Sequence, residues 1–509
     1  MSPLHRFISN LPWTTVGKIV VHLQLFVISI LLTRYLGKDQ LGIYASLLAV
    51  PVFVRLLNAM GLETALNKNL PELDVQDPSG AQARWLTFRL LKIRFASSAV
   101  LFAAIYLLFP IYAEMIGRVE LTEYRGTLAF YFLAITLDSF MSSLFMTRLK
   151  YRLITIAETS CAFLNLIFLG LFIFLDLGVR GVMLAYILSV GINLLLYFLW
   201  GHHEWGAPRE RPPAGDALGL AINSWLIALL GFGLMTQSDI VLMNFFHIES
   251  ASIGFYHLAT GLGGMMAFLL IGVAPMALSL FSETFARSAR AGLERLFQDI
   301  LGIACFLTAP IYAFFIFNAE PILQFIYGSD FTKASPLLIA FAIFAGLQTV
   351  LGINFSYSLL FVLQRRQMAL RSTAEASILN LALNFILIPT YGAMGAVAGT
   401  GVSMLYMVLR QLHALAGEFD VVPALRAMLE RLLLCISAAV PGVGLSMAGI
   451  DSLALNALLY LISFFTALVW FKPLNSEWQT KIEESFPGWG KRVGIFVRSL
   501  ETSSDSQTQ

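Results

Sequence analysis

Apolar residues run in long blocks along this chain, and polar residues collect between the blocks. A block of about 20 mainly apolar residues is long enough to cross the hydrocarbon core of a bilayer as a helix. Fourteen such blocks are expected to be transmembrane helices. The first six are 16–35, 41–62, 91–112, 127–147, 153–175 and 179–200. A polar break, 202–216, contains the run Pro208-Arg-Glu-Arg-Pro-Pro213. Eight more follow at 218–246, 253–280, 297–317, 336–363, 368–389, 393–415, 425–447 and 452–471. Beyond residue 475, Trp478, Ile482, Phe486 and Trp489 sit among Lys481, Lys491 and Arg492, the pattern of an amphipathic segment at a membrane surface.

Charge gives these helices an orientation. With the N-terminus inside, the inner segments hold 26 of the 33 lysines and arginines. The outer connections hold only Arg34, Lys38, Arg118, Arg125, Arg180 and Lys333, and Arg55 is left inside a span. Positive residues favour the cytoplasmic side, so an even number of spans with both termini cytoplasmic is expected. Composition agrees: 58% of the 509 residues are hydrophobic and 13% charged, with a mean hydropathy of +0.76. A soluble chain carries about 25% charge. The reading is an all-α polytopic membrane protein, and a cytosolic enzyme, a nucleic-acid binder and a disordered scaffold are excluded. Cys161, Cys305 and Cys435 sit in apolar runs without metal or disulfide spacing, so a packing role is expected. The N-terminal residues lack a secretory cleavage pattern, and the first block is read as a retained helix.

Two short matches point to an internal repeat. Leu41-Gly-Ile-Tyr44 recurs as Ile253-Gly-Phe-Tyr256, and Leu164-Asn-Leu166 recurs as Leu379-Asn-Leu381. The offsets are 212 and 215 residues. The expected division is two tandem six-helix lobes, 1–201 and 217–417, joined by a cytoplasmic linker, 202–216. Two additional helices follow in 418–473, then a cytoplasmic amphipathic segment and polar tail, 474–509.

Charges within spans are costly and mark candidate functional groups. Arg55 is the sharpest of them, about 21 Å down its span at 1.5 Å per residue. Lys18 and His22 are four residues apart on one face of the first helix. The three together suit a cationic lining, since arginine grips phosphate bidentately. A snorkelling or lobe-packing role for Arg55, an interfacial one for Lys18 and that of a satisfied interior histidine for His22 are the plainer alternatives. Among the acids, Asp138 and Asp239 lie deep and Glu375 follows Arg371 by one turn. Each is an ion-coupling or a structural candidate. Glu63 is expected to pair with a nearby basic residue. There is no phosphate-binding loop and no His-Glu-x-x-His, so no catalytic residue, metal site or cofactor is assigned. Transport is expected to run on an ion gradient, the membrane potential or the substrate gradient.

Several stretches resemble one family. Leu32-Thr-Arg-Tyr-Leu-Gly-Lys-Asp-Gln-Leu-Gly-Ile-Tyr44 with Gly61-Leu-Glu-Thr-Ala65 resembles the opening of bacterial polysaccharide repeat-unit flippases. These belong to the multidrug/oligosaccharidyl-lipid/polysaccharide exporter superfamily. Ser238-Asp-Ile-Val-Leu242 with Gly254-Phe-Tyr256 resembles the start of the family's second lobe. Asn384-Phe-Ile-Leu-Ile-Pro389 with Gly392-Ala-Met-Gly-Ala396 resembles its eleventh and twelfth helices. The resemblance implies a V-shaped pair of lobes that carries undecaprenyl-pyrophosphate-linked oligosaccharide outward across the bacterial inner membrane by alternating access. The products would be O-antigen of lipopolysaccharide, capsule or exopolysaccharide. It implies a polyprenyl-linked oligosaccharide and the bilayer as partners, a polysaccharide polymerase as a further candidate, and no nucleic acid. A cation-coupled multidrug exporter, a lipid II flippase and a membrane scaffold are the alternatives.

Overall fold

The computed structural model describes residues 3–148, 150–201, 209–211, 225, 229, 235, 238–266, 270, 274–418, 420–447 and 452–471, with residues 3–19 and some others, among them 274–280, 286–289 and 468–471, as backbone only. The described residues contain no strand. The first half holds α1 (Pro3–Ala59), α2 (Leu62–Gln76), α3 (Ala81–Met115), α4 (Arg125–Thr147), α5 (Tyr151–Phe174) and α6 (Gly178–Trp200). The second holds α7 (Ser238–Phe245), α8 (Ser250–Met265), α9 (Ala274–Phe317), α10 (Ala319–Tyr327), α11 (Ser335–Val350), α12 (Ile353–Val362) and α13 (Arg366–Ala416). Three more close the described chain: α14 (Val422–Ser437), α15 (Val440–Met447) and α16 (Leu453–Phe471). Most of the span expected at 218–246, the linker at 202–216 and the tail beyond 471 lie outside the described residues.

Nine helical segments among the described residues are long and apolar enough to cross a membrane. Val20–Ala59, of 40 residues, and Arg366–Ala416, of 51, are each long enough to cross twice at about 20 residues per crossing. Both are broken near the middle. Gly37 (φ 69, ψ 177) interrupts α1, and Gly392 (φ 58, ψ −133) interrupts α13. At positive φ a Cβ is strained, and glycine alone enters freely. The spans read separately at 16–35 and 41–62, and at 368–389 and 393–415, are thus pairs of helices continuous through a break.

The backbone breaks recur at a nearly constant spacing. Gly37 and His247 have positive φ 210 residues apart, Gly117 and Gly328 211 apart, and Gly178 and Gly392 214 apart. A six-residue 3-10 turn follows the middle pair each time, at Val119–Tyr124 and Ser329–Ala334. The two Gly-x-Tyr motifs meet. A Cβ on Gly42 would fall 1.7 Å from the Ser250 carbonyl oxygen, and one on Gly254 would fall 2.6 Å from the Lys38 carbonyl oxygen. Ser250 lies 212 residues after Lys38, as Gly254 lies after Gly42, so the contact is reciprocal between equivalent positions.

The described chain forms two compact units. The first comprises Met1–Gly261, Ile326–Leu337 and Leu370–Met407. Its inner core sets Leu62, Leu66 and Leu70 of α2 and Leu86 and Leu90 of α3 against Phe140, Leu144 and Phe145 of α4. Asp77 turns α2 into α3 by accepting hydrogen bonds from the Ser79 amide (3.0 Å), the Ser79 hydroxyl (2.6 Å) and the Gln82 amide (3.0 Å). The second unit comprises Leu262–Phe325, Leu338–Ala369 and Val408–Gln509. There Phe297, Leu301 and Cys305 pack with Met428, Cys435, Tyr460 and Phe464. Cys305 and Cys435 fill buried apolar space, and Cys161 is half-buried. Glu418, 4% exposed, holds Arg290 at 2.9 Å and Arg365 at 2.6 Å.

Candidate functional site

A cavity of about 600 Å³ opens inside the first unit. That lies within the roughly 300–1,000 Å³ of small-molecule sites. Helix α4 supplies most of its wall through Tyr131, Ile135, Asp138, Ser139, Ser142, Ser143 and Met146. Those positions are spaced three or four apart, which places them on one helical face. The opposite face of α4 carries Phe140, Leu144 and Phe145 into the core, so packing of that side turns the hydroxyl-bearing side inward. Val52 and Arg55 of α1, Glu63 of α2 and Tyr186 of α6 complete the lining. The Tyr131 and Tyr186 rings stack with centroids 4.8 Å apart.

Arg55 stands half-buried in this wall. Among the described residues no hydrogen bond or ion pair reaches its guanidinium. His22 is half-buried and is not among the lining residues, and the Lys18 side chain lies outside the described residues. The cavity therefore gathers Arg55 with Asp138 and Glu63, and not with His22. Asp138 accepts a 2.7 Å hydrogen bond from Asn193 of α6.

Asp239 occupies a different place. It is 1% exposed and accepts hydrogen bonds from the Tyr256 hydroxyl, from Asn384 at 2.7 Å and from Thr400 at 2.8 Å. Asn384 lies before the Gly392 break and Thr400 after it. One carboxylate thus ties α7, α8 and both halves of α13. Glu375 is half-buried and accepts a 2.9 Å bond from the Tyr406 hydroxyl.

Arg94 is a charge that the sequence reading assigned to the inner segments without a role. It is 1% exposed. Its guanidinium pairs with Glu63 at 2.5 Å, donates to the carbonyls of Asn58 and of Ala59 (3.3 Å), and lies 5.4 Å from the Phe140 ring centroid. Helix α1 ends there because Met60 and Gly61 take positive φ. That ending leaves carbonyls without helical partners, and a basic side chain at a helix C-terminus satisfies them. Arg94 thereby clamps the α1–α2 corner and fixes Glu63 at the cavity edge. The signals available in the sequence were the three-and-four spacing of the α4 polar residues and an arginine three residues inside a span. Among the described residues, no three His, Cys, Asp or Glu side chains gather as a metal site would need.

Broken membrane helices with a polar cavity inside one compact unit define a multi-pass membrane protein of the secondary-transporter kind. A family model described as polysaccharide biosynthesis protein matches residues 31–336, and the chain belongs to that family. It is 25% identical over 393 residues to the probable low-salt glycan biosynthesis flippase Agl15 of Haloferax volcanii, covering 75% of this chain and 77% of that one. Two solved structures share the fold. The lipid II flippase MurJ in an inward closed conformation has a TM-score of 0.67 at 15% identity, covering 90% of this chain and 98% of MurJ. An inward-facing multidrug resistance MATE family transporter of the MOP superfamily has a TM-score of 0.65 at 16% identity, covering 79% and 98%.

Proposed function

We propose that this protein is a flippase that moves a lipid-linked oligosaccharide between membrane leaflets by alternating access. The observation that carries the reading is Arg55, an arginine in a membrane-embedded cavity with no hydrogen-bonded or ion-paired partner among the described residues. A cation held this way needs an anion, and guanidinium suits phosphate geometry. The cargo is then a polyprenyl-pyrophosphate-linked repeat unit, and the setting is the bacterial inner membrane during surface polysaccharide synthesis, with a polymerase as downstream partner. The same arginine disfavours a lipophilic-cation substrate. The recurring breaks and the reciprocal Gly42–Gly254 contact support two tandem six-helix repeats within a fourteen-helix chain. Asp239 is the candidate for coupling a proton or cation to conformation, because its partners stand on both sides of the Gly392 break.

The test is complementation of a strain lacking the gene with the full chain or with Arg55→Ala. Surface polysaccharide is expected to fall at least about tenfold at normal protein abundance, as loss of one charge-assisted phosphate contact predicts. Lipid-linked repeat units should build up on the inner leaflet. Wild-type polysaccharide from the variant would remove Arg55 from the mechanism.

A further inference from the structure

The cavity offers more than a cation. Ser143 is 7% exposed, lines the cavity, and its hydroxyl is buried without a hydrogen-bond partner. Buried hydroxyls are rarely left in that state. Asp138 presents a second carboxylate oxygen beyond the one bound by Asn193. Ser139 lies between them on the same helical face. Within two helical turns, about 8 Å of α4, the wall therefore sets out a carboxylate acceptor and three serine hydroxyls, of which that of Ser142 donates to Glu158 at 3.5 Å. Above them the Tyr131–Tyr186 pair presents aromatic surface.

The charge balance narrows the ligand. Glu63 is already matched by Arg94 at 2.5 Å. Among the described residues that leaves one cation, Arg55, and one carboxylate, Asp138, in the wall. A polyanion alone would meet a repelling carboxylate, and a lipophilic cation would meet Arg55. A ligand that satisfies both has an anionic end and a neutral, hydroxyl-rich end. Neighbouring hydroxyls can donate together to one carboxylate, the unpartnered serine can complete the set, and the C–H face of a sugar ring matches an aromatic surface. A volume of about 600 Å³ suits a phosphate with its adjoining sugar and not a whole oligosaccharide.

We propose that the cavity is a two-part site for a sugar phosphate: Arg55 takes the phosphate, and Asp138 with Ser139 and Ser143 takes hydroxyls of the first sugar. This rests on the flippase reading and deepens it, because it makes the reducing-end sugar, and not the whole repeat unit, the part recognised within this lobe.

The experiment titrates the full-length protein in lipid nanodiscs with inorganic phosphate, glucose 1-phosphate, galactose 1-phosphate and N-acetylglucosamine 1-phosphate. At least one sugar phosphate is expected to bind about tenfold tighter than phosphate, as one or two added hydrogen bonds to charged or buried groups provide. Ser143→Ala should erode most of that ratio while leaving phosphate affinity unchanged, and Asp138→Asn should erode it with phosphate affinity raised, because the repelling carboxylate is gone. Ser143→Ala removes a single oxygen, which keeps the test decisive if Asp138→Asn folds poorly. No preference for any sugar phosphate in the wild type, or a preference that survives both substitutions, overturns the proposal. Equal loss of phosphate and sugar-phosphate binding in Ser143→Ala also overturns it, because that marks a structural role. Arg55→Gln separates the two readings. If it leaves phosphate binding intact while the α4 variants still erode the ratio, the anion role of Arg55 fails and the sugar face stands.

Discussion

Gly42→Ala tests the reciprocal contact on which the repeat reading rests. The new Cβ would fall 1.7 Å from the Ser250 carbonyl oxygen, where ordinary contact begins at 3.4 Å. The obstacle is backbone, so a rotamer change cannot relieve it. The two segments must part by about 1.7 Å, the difference between those distances, and lose their packing on both sides. Overpacking of this kind costs about 1–3 kcal/mol, and the top of that range is expected here. Gly254→Ala, at 2.6 Å from the Lys38 carbonyl oxygen, should cost less. The double variant should cost less than the two singles together, because one separation accommodates both methyls. Gly191 lies in α6 with nothing within 4 Å of its would-be Cβ. Gly191→Ala should therefore be neutral or slightly stabilising, as alanine is favoured in a helix interior by about 0.5–1 kcal/mol. The assay is the apparent melting temperature in one detergent at one scan rate, since unfolding of such proteins is commonly irreversible. Gly42→Ala should melt several degrees below wild type. If it melted with Gly191→Ala, the close approach at residue 42 would be refuted.

Two further outcomes follow from the ion pairs and caps. Arg94→Met strands the Glu63 carboxylate and the Asn58 and Ala59 carbonyls, and should cost about 3 kcal/mol, the lower end of the usual loss for breaking a buried pair, because Glu63 is a quarter exposed. Adding Glu63→Gln should recover part of it, and a melting temperature for Arg94→Met equal to wild type would remove the clamp. The Ser79 hydroxyl, with help from the Gln82 amide, holds Asp77 below its ordinary 3.8. A depressed carboxylate stabilises its turn in full above the ordinary value and loses that effect as pH falls through the folded value. Amide exchange over residues 79–84, corrected for intrinsic rate, should therefore accelerate at acid pH in the wild type and become insensitive to pH there in Asp77→Asn.

The membrane class and many of the span ends were legible along the chain, because transfer into hydrocarbon depends on the local run of side chains. But the stretch expected as one span at 253–280 is shared between α8, ending at Met265, and α9, starting at Ala274, and the one at 336–363 is divided between α11 and α12 at Gly352. α4, expected at 127–147, is Arg125–Thr147, and α6, expected at 179–200, is Gly178–Trp200. The Gly-x-Tyr repeat was legible as a spacing, but that its two copies touch was not. Arg55 stood out as a lone charge in an apolar run. Its companions on other helices did not: the cavity lines Arg55 with Asp138 of α4 and Glu63 of α2, and His22 is not among the described lining residues. Arg94 looked like one more cytoplasmic arginine until the α1–α2 corner closed over it. Solvation is a property of neighbours in sequence, so the chain alone determined what lies in the bilayer. Pairing is a property of neighbours in space, so only the packed helices decided which charges are paired within the fold, as Arg94 is, and which, as Arg55, have no hydrogen-bonded or ion-paired partner among the described residues.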